Sequence, residues 1–240
     1  MPNQSATKQT QAVVFDLDDI LYAERDYVRS GYEAVARHLE SPADKAKTIS
    51  RDDLLGWLWY RFGAGQAAGA FNALNEHFQL GLSKPQITQL VELYRSHVPD
   101  IRPRKGIPQL LGDLAGTNLL GLLGDGFLPA QQLKLDALGL GKYFDAVIFT
   151  ESLGAKQEYW KPSPVGFEAI VEKLLVPHPS CCYVGDNPAK DFVAPNALGW
   201  RTIQLLLPGQ VHCGKPAPPG GTPQSIVASI EELRVAFDLA

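Results

Sequence analysis

Five short apolar runs recur along the chain, at Ala12–Phe15, Leu119–Leu123, Ala146–Phe149, Cys181–Val184 and Thr202–Leu206. They are continuous rather than alternating, which predicts strands of a parallel sheet covered on both faces. Helical patterns lie between and after them. Phe167, Ile170, Val171 and Leu174 fall at i, i+3, i+4 and i+7, behind Ser163 as N-cap and Pro164 as the first helical residue. Phe127–Leu138 predicts a second helix, with Pro129 near its start and Gly139 just past its end. Ser225–Leu239 predicts a closing helix with Ile226, Ile230 and Leu233 on its apolar side. Strand alternating with helix in this way implies an α/β fold with a doubly wound, Rossmann-like parallel sheet.

The alternation is interrupted. From Leu21 to about Ile107 no run reads as a strand, and helical stripes take over. Val28, Tyr32, Val35 and Leu39 form the first. Ser50 with Asp53 forms a capping-box pattern ahead of Leu54, Leu55 and Leu58. Phe71, Leu74 and Phe78 form the third, and Ile87, Leu90, Val91, Tyr94 and Val98 the fourth. A stretch of this length is no loop, so residues 1–22 and 101–240 are expected to build the core and residues 23–100 an inserted helical cap.

Apolar residues make up 45% and charged residues 20% of the chain, the chemistry of an ordinary globular protein. A net charge of -4 gives no electrostatic reason for a nucleic-acid partner. No run is long and apolar enough for a membrane span, and the polar opening Met1–Gln11 lacks a signal-peptide core and reads as a disordered tail. Cys181, Cys182 and Cys213 have no metal-type spacing, and buried reduced thiols point to the cytoplasm. Leu207–Pro223, rich in Pro and Gly, reads as an irregular surface loop.

The chemistry begins where the first apolar run ends. Asp16-Leu17-Asp18-Asp19-Ile20 delivers two carboxylates to the place where open α/β sheets bind ligands. Three further segments follow in order: Gly124-Asp125-Gly126 after the second strand, Trp160-Lys161-Pro162-Ser163-Pro164 after the third, and Gly185-Asp186-Asn187-Pro188-Ala189-Lys190-Asp191 after the fourth. Together they resemble the haloacid dehalogenase-like hydrolase superfamily, and within it the phosphatases that carry a helical cap after the first motif.

That resemblance implies a Mg²⁺-dependent phosphatase acting on a small phosphate ester through an aspartyl-phosphate. Asp16 matches the nucleophile and Asp18 the general acid/base. Lys161 matches the lysine that pairs with the nucleophile and a phosphate oxygen; Lys156 is a nearby rival with a poorer fit to the motif. Asp16, the backbone carbonyl of Asp18 and Asp186 match the metal ligands, with Asp191 reaching the metal directly or through water from the first turn of a helix that Asn187 caps. Gly124, Asp125 and Gly126 match the phosphate-binding segment. Alternatives are a catalytically weak phosphoanion-binding or regulatory member, and a phosphomutase. Two positions depart from the pattern. Ile20 replaces a Thr or Val, a mild change. Gly124 replaces a Ser or Thr, so one phosphate-binding hydroxyl is missing, and a Thr restored there is expected to strengthen the site. Tyr22, Arg25, Tyr27, Arg29, Trp57, Trp59 and Tyr60 are candidates for substrate selection.

Overall fold

The computed structural model describes residues 10–40, 49–154 and 157–239. Within it the chain forms two compact units, one from the residues up to Arg25 together with those from Arg102 onward, the other from Asp26–Ile101.

The first unit is an α/β fold built on a six-stranded, all-parallel sheet of order β3-β2-β1-β4-β5-β6. Its strands are β1 Ala12–Phe15, β2 Leu119–Gly124, β3 Ala146–Phe149, β4 Cys181–Gly185, β5 Arg201–Leu205 and β6 Ser225–Val227. β1 and β4 are buried along their whole length, so nearly every position is apolar. Val14 and Tyr183 are register partners and share one face with Phe167, Ile170, Phe192 and Trp200. Helix α7 (Val165–Leu174) packs on β2 and β3, α5 (Ile107–Ala115) packs on β2, and α8 (Val193–Ala197) packs on β5. Helix α6 (Ala130–Leu138) ends on Gly139, whose φ of 63° is the left-handed conformation that a helix C-terminus favours.

Strand order fixes where chemistry can occur. The chain moves outward from β1 through β2 to β3, then returns to the other side of β1 with β4. β1 and β4 therefore flank the switch point, and all strands point their carboxyl ends to one edge.

The second unit is helical, with α2 (Arg51–Gly63), α3 (Ala70–Phe78), α4 (Lys84–Ser96) and most of α1 (Glu24–Leu39). The expected stripes form its core: Val28, Tyr32 and Val35 of α1 meet Leu54, Leu58, Phe71, Leu74, Ile87 and Leu90. Ser50 accepts from the backbone N–H of Asp53, as its spacing predicts.

Several expectations need correction. The closing helix is shorter: Ser225–Val227 pairs with β5 as a sixth strand, and α9 spans only Ile230–Ala236. Ser229 is its cap, accepting from Glu232 N–H, while the Glu232 carboxylate accepts from Ala228 N–H. Ile226 is accordingly 57% exposed rather than on an apolar helix face. α4 stops at Ser96 and leaves Val98 83% exposed. The helix expected from Phe127 begins at Ala130, and Pro164 rather than Ser163 is the N-cap of α7. No helix begins at Asn187. Its side chain accepts from Ala189 N–H and Asp191 accepts from Asn187 N–H, so side chains satisfy the backbone in a turn and α8 starts only at Val193.

Candidate active site

The site is built at the carboxyl ends of four parallel strands, all in the first unit. Asp16 follows β1 and anchors there by donating its backbone N–H to the carbonyl of Val184 in β4. Asp186 follows β4, and Asp191 comes from the turn beyond it. The carboxylates of Asp16, Asp186 and Asp191 can each place an oxygen within 4.8 Å of the others, and all three are buried. Lys161 enters from the segment after β3. Its fully buried ammonium lies 3.0 Å from Asp16 Oδ1 and 2.8 Å from Asp191 Oδ1, and donates to the Tyr183 hydroxyl at 2.7 Å.

Charge in this pocket is unbalanced. Three carboxylates face one ammonium, and burial opposes every charge. Burial lifts Asp16 to about 6, against the pull of Lys161. Burial, reinforced by Asp191 and Asp16, lifts Asp186 to about 9. Burial also works against Lys161, yet Asp16 and Asp191 hold its pKa well above the ordinary lysine value. Asp186 Oδ2 is a buried oxygen with no hydrogen-bond partner among the described residues. A cluster of hard carboxylate oxygens, with excess negative charge and an orphaned oxygen, has the donor set that Mg²⁺ takes. The residues fit the cation.

Asp18 lies in different surroundings. Lys134 Nζ is 2.8 Å from its Oδ1, which also accepts from the Tyr22 hydroxyl, and Gln131 Nε2 donates to its Oδ2 at 3.1 Å. Burial, the largest single influence, would raise the Asp18 pKa, but the charge of Lys134 and the hydrogen bonds from Lys134, Tyr22 and Gln131 together outweigh it and hold it below the usual carboxylate value. The turn after Asp18 is locked by Asp19, whose φ of 60° is left-handed, a conformation Asp tolerates better than most residues. Asp19 accepts from the backbone N–H groups of Glu24 and Val211 and pairs with Arg104.

In the Gly124-Asp125-Gly126 segment, Asp125 plays a part its motif does not announce. Its carboxylate accepts from the Thr150 hydroxyl, the Lys161 backbone N–H and Lys190 Nζ, tying the segments after β2, β3 and β4 together. Burial opposes ionisation of Asp125, but Lys161 and Lys190 hold its pKa low. Gly124 is the last residue of β2, in ordinary extended backbone, whereas Gly126 has a φ of 142°.

The structure thus brings Asp16, Lys161, Asp186 and Asp191 into one cluster and joins Asp125 to it through Lys161. Of the candidate selecting residues, Tyr22 belongs to the first unit and donates to Asp18. Tyr27 donates to the Tyr94 carbonyl, Trp57 stacks on His77, and Tyr60 is exposed, all within the helical unit. Lys156 lies outside the described residues. Sequence reasoning missed Gln131, Lys134, Tyr183 and Lys190. For Lys190 the signal was available, since it adjoins Asp191.

Comparisons with known proteins identify the family. Residues 10–199 match the model of the haloacid dehalogenase-like hydrolase family. A glyceraldehyde 3-phosphate phosphatase of Methanocaldococcus jannaschii is 27% identical over 218 residues, covering 82% of this chain and 85% of that protein. A pyrimidine 5'-nucleotidase of Escherichia coli is 30% identical over 132 residues, 55% of each chain. Among solved structures, a magnesium-bound HAD-hydrolase of Bacillus subtilis has a TM-score of 0.67 at 18% identity, covering 97% of this chain and all of that one (100%). A HAD-family hydrolase of Deinococcus radiodurans with bound phosphate and sodium has a TM-score of 0.65 at 20% identity, covering 96% of each. The match spans most of the chain: this protein belongs to the haloacid dehalogenase-like hydrolase family.

Proposed function

We propose that the protein is a Mg²⁺-dependent phosphatase hydrolysing a small phosphorylated metabolite, a phosphosugar or phosphoglycolate-like ester, through a phosphorylated Asp16. The observation that carries this reading is the junction of Asp16 with Lys161 at 3.0 Å, inside a buried carboxylate cluster and two residues before Asp18. The phosphatase and nucleotidase names of the relatives support a small phosphate ester as substrate.

In this mechanism a carboxylate oxygen of Asp16 attacks phosphorus and the phosphorus–ester oxygen bond breaks. The departing alkoxide takes its proton from Asp18. Asp18 then removes a proton from water, whose oxygen attacks the phosphorus, releasing phosphate and restoring both side chains. Lys161 sets a fixed positive charge beside the nucleophile, where it offsets the charge gathering on the phosphoryl oxygens. Asp16, Asp186, Asp191 and the backbone carbonyl of Asp18 would hold Mg²⁺, which when bound supplies charge neutralisation that the dianionic ester needs. Asp125, bonded to Lys161 N–H, positions the Lys161 backbone.

A cytoplasmic setting is part of the proposal. No helix among the described residues is long and apolar enough to cross a membrane. The thiols of Cys181 and Cys182 are buried, and burial pushes both up to about 12, which leaves them unreactive.

The test is phosphate release from a panel of triose, hexose and glycolate phosphates and pyrimidine 5'-nucleotides, with Mg²⁺ and with a chelator. Turnover with Mg²⁺ and none with chelator is expected, and Asp16→Asn should be folded and inactive. Substantial steady-state turnover by Asp16→Asn rules out the aspartyl-phosphate. One observation favours a second reading, a phosphoanion-binding member with weak turnover: Lys134 and its neighbours hold Asp18 as a carboxylate. Phosphate binding without hydrolysis of any ester would select that reading.

A further inference from the structure

Gly124 is where the sequence lacks a hydroxyl, yet the space beside it is not empty. A Cβ built on Gly124 would lie 2.9 Å from Gln131 Oε1 and 3.3 Å from Phe149 Cδ1. A Cβ on Gly126 would lie 2.4 Å from Gln131 Nε2. The two glycines clear a slot at the end of β2, and the side-chain amide of Gln131 fills it. Gly124 does not need glycine for its φ, so the restriction there is one of space. Gln131 is 1% exposed, and its Oε1 has no hydrogen-bond partner among the described residues. A buried amide oxygen without a donor is costly, and here it faces the end of β2 beside Asp18.

We propose that Gln131 is a phosphate-binding residue that does the work of the hydroxyl missing at Gly124. The inference rests on the phosphatase reading of the site. No hydrogen bond from the described residues holds Oε1 in place, and the last torsion of a glutamine is broad and two-fold. A half-turn about that bond brings Nε2 over Gly124, where it donates to a phosphate oxygen. The turn exchanges the Nε2 bond to Asp18 for Oε1 at the same oxygen, an arrangement that suits Asp18 when it carries the proton the acid step requires and donates it to Oε1, while Lys134 and Tyr22 stay as its partners. On this account a Thr or Ser at position 124 does not improve the wild-type protein. Its Cβ displaces the very amide that binds the anion.

The experiment is a double-mutant cycle on the Mg²⁺-loaded full chain, read by orthovanadate affinity and by KM and kcat. Gln131→Met keeps the volume without the donor and should weaken vanadate binding about tenfold or more, as loss of a hydrogen bond to a charged group does. Gly124→Ser alone should also weaken it, because the new Cβ collides with the amide. Gly124→Ser combined with Gln131→Ala should recover most of the wild-type affinity, since the hydroxyl then has room. Gly124→Ala combined with Gln131→Ala refills the slot without a hydroxyl and is the packing control, so a recovery that it shares with the serine double variant also overturns the inference. Vanadate affinity within about twofold of wild type in Gln131→Met overturns the inference, as does a double variant no better than Gln131→Ala alone. Either result leaves the phosphatase reading standing as long as the wild type binds and hydrolyses. A wild type that does neither defeats both.

Discussion

Asp186 offers a direct measure of the charge imbalance around Asp16. Without metal, burial and two neighbouring carboxylates hold its pKa at about 9, against 3.8 for a free side chain. The folded protein therefore keeps a proton on Asp186 that the unfolded chain has released. For a raised carboxylate, the associated stability is complete below the unfolded value and is lost as pH rises toward the folded one. One proton of difference costs about 1.4 kcal/mol of stability per pH unit. Between pH 7 and 8.5 the metal-free protein should lose about 2 kcal/mol on this account, roughly 4–8 °C in melting temperature for a chain of this size. Asp16, at about 6, has finished titrating by pH 7. The lowered carboxylates Asp18 and Asp125 contribute a constant over this window, because their stabilisation fades only as pH falls. Glu24, raised to about 8 by burial and then by Asp18, adds a slope of its own, so the comparison is with Asp186→Asn. That variant keeps the shape, removes the titrating group and should melt with a shallower pH dependence in chelator. Mg²⁺ should flatten the wild-type dependence, releasing a proton on binding, and should stabilise Asp186→Asn far less. Equal slopes for wild type and variant in chelator would refute the reasoning, and an undiminished Mg²⁺ response in the variant would remove Asp186 from the ligands.

Lys134→Met removes the cation beside Asp18, so the Asp18 pKa should rise and the pH–rate profile move to higher pH. Breaking this part-buried pair should also lower stability by about 1–3 kcal/mol in urea unfolding, and an unmoved profile would mean that Asp18 does not govern the rate. Gly185→Ala would put a Cβ 2.7 Å from Asp191 Oδ2. That carboxylate is held by Lys161 and by Asn187 N–H, so it cannot yield freely. A loss of about 1–3 kcal/mol, together with weaker Mg²⁺ binding by calorimetry, is expected. An alanine variant with wild-type affinity and stability would show the Asp191 turn to be more pliant than its hydrogen bonds imply.

The sheet was legible because burial on both faces leaves a strong local signature, and β1 and β4 carry it from end to end. β6 lacks that signature. It is a three-residue edge strand with Ile226 facing outward, and its assignment depends on pairing with β5. A local cue was nonetheless present: Ser229 and Glu232 form a helix-start pattern four residues later than the expected start at Ser225. The turn at Asn187 hid for a different reason. Asn followed by Pro is as good an opening for a helix as for a turn, and what decides is the bond from Asn187 N–H to the Asp191 carboxylate, which composition does not encode.

Asp16, Asp125 and Asp186 could be found in the sequence because each sits directly after a strand, where chain direction alone carries it to the reactive edge. The partners of Asp18 on α6 follow no such rule. There Gln131 and Lys134 share the buried face with Ala130, Leu135 and Leu138 while Leu133 is only partly buried, which an apolar stripe does not predict. The reason lies 113 and 116 residues away in the chain, at Asp18, which takes one bond from each. A carboxylate that is to meet a phosphate ester at the end of a buried strand has to be held and partly neutralised. A helix beside it can do so only by giving up apolar positions. Polar residues on the inward face of a short helix are therefore physical evidence for a buried charge opposite, and in this fold the available charge is the pair at the end of β1. That inference is open to any chain whose strand ends are already assigned, and it would have placed Gln131 and Lys134 at the site before their contacts were seen.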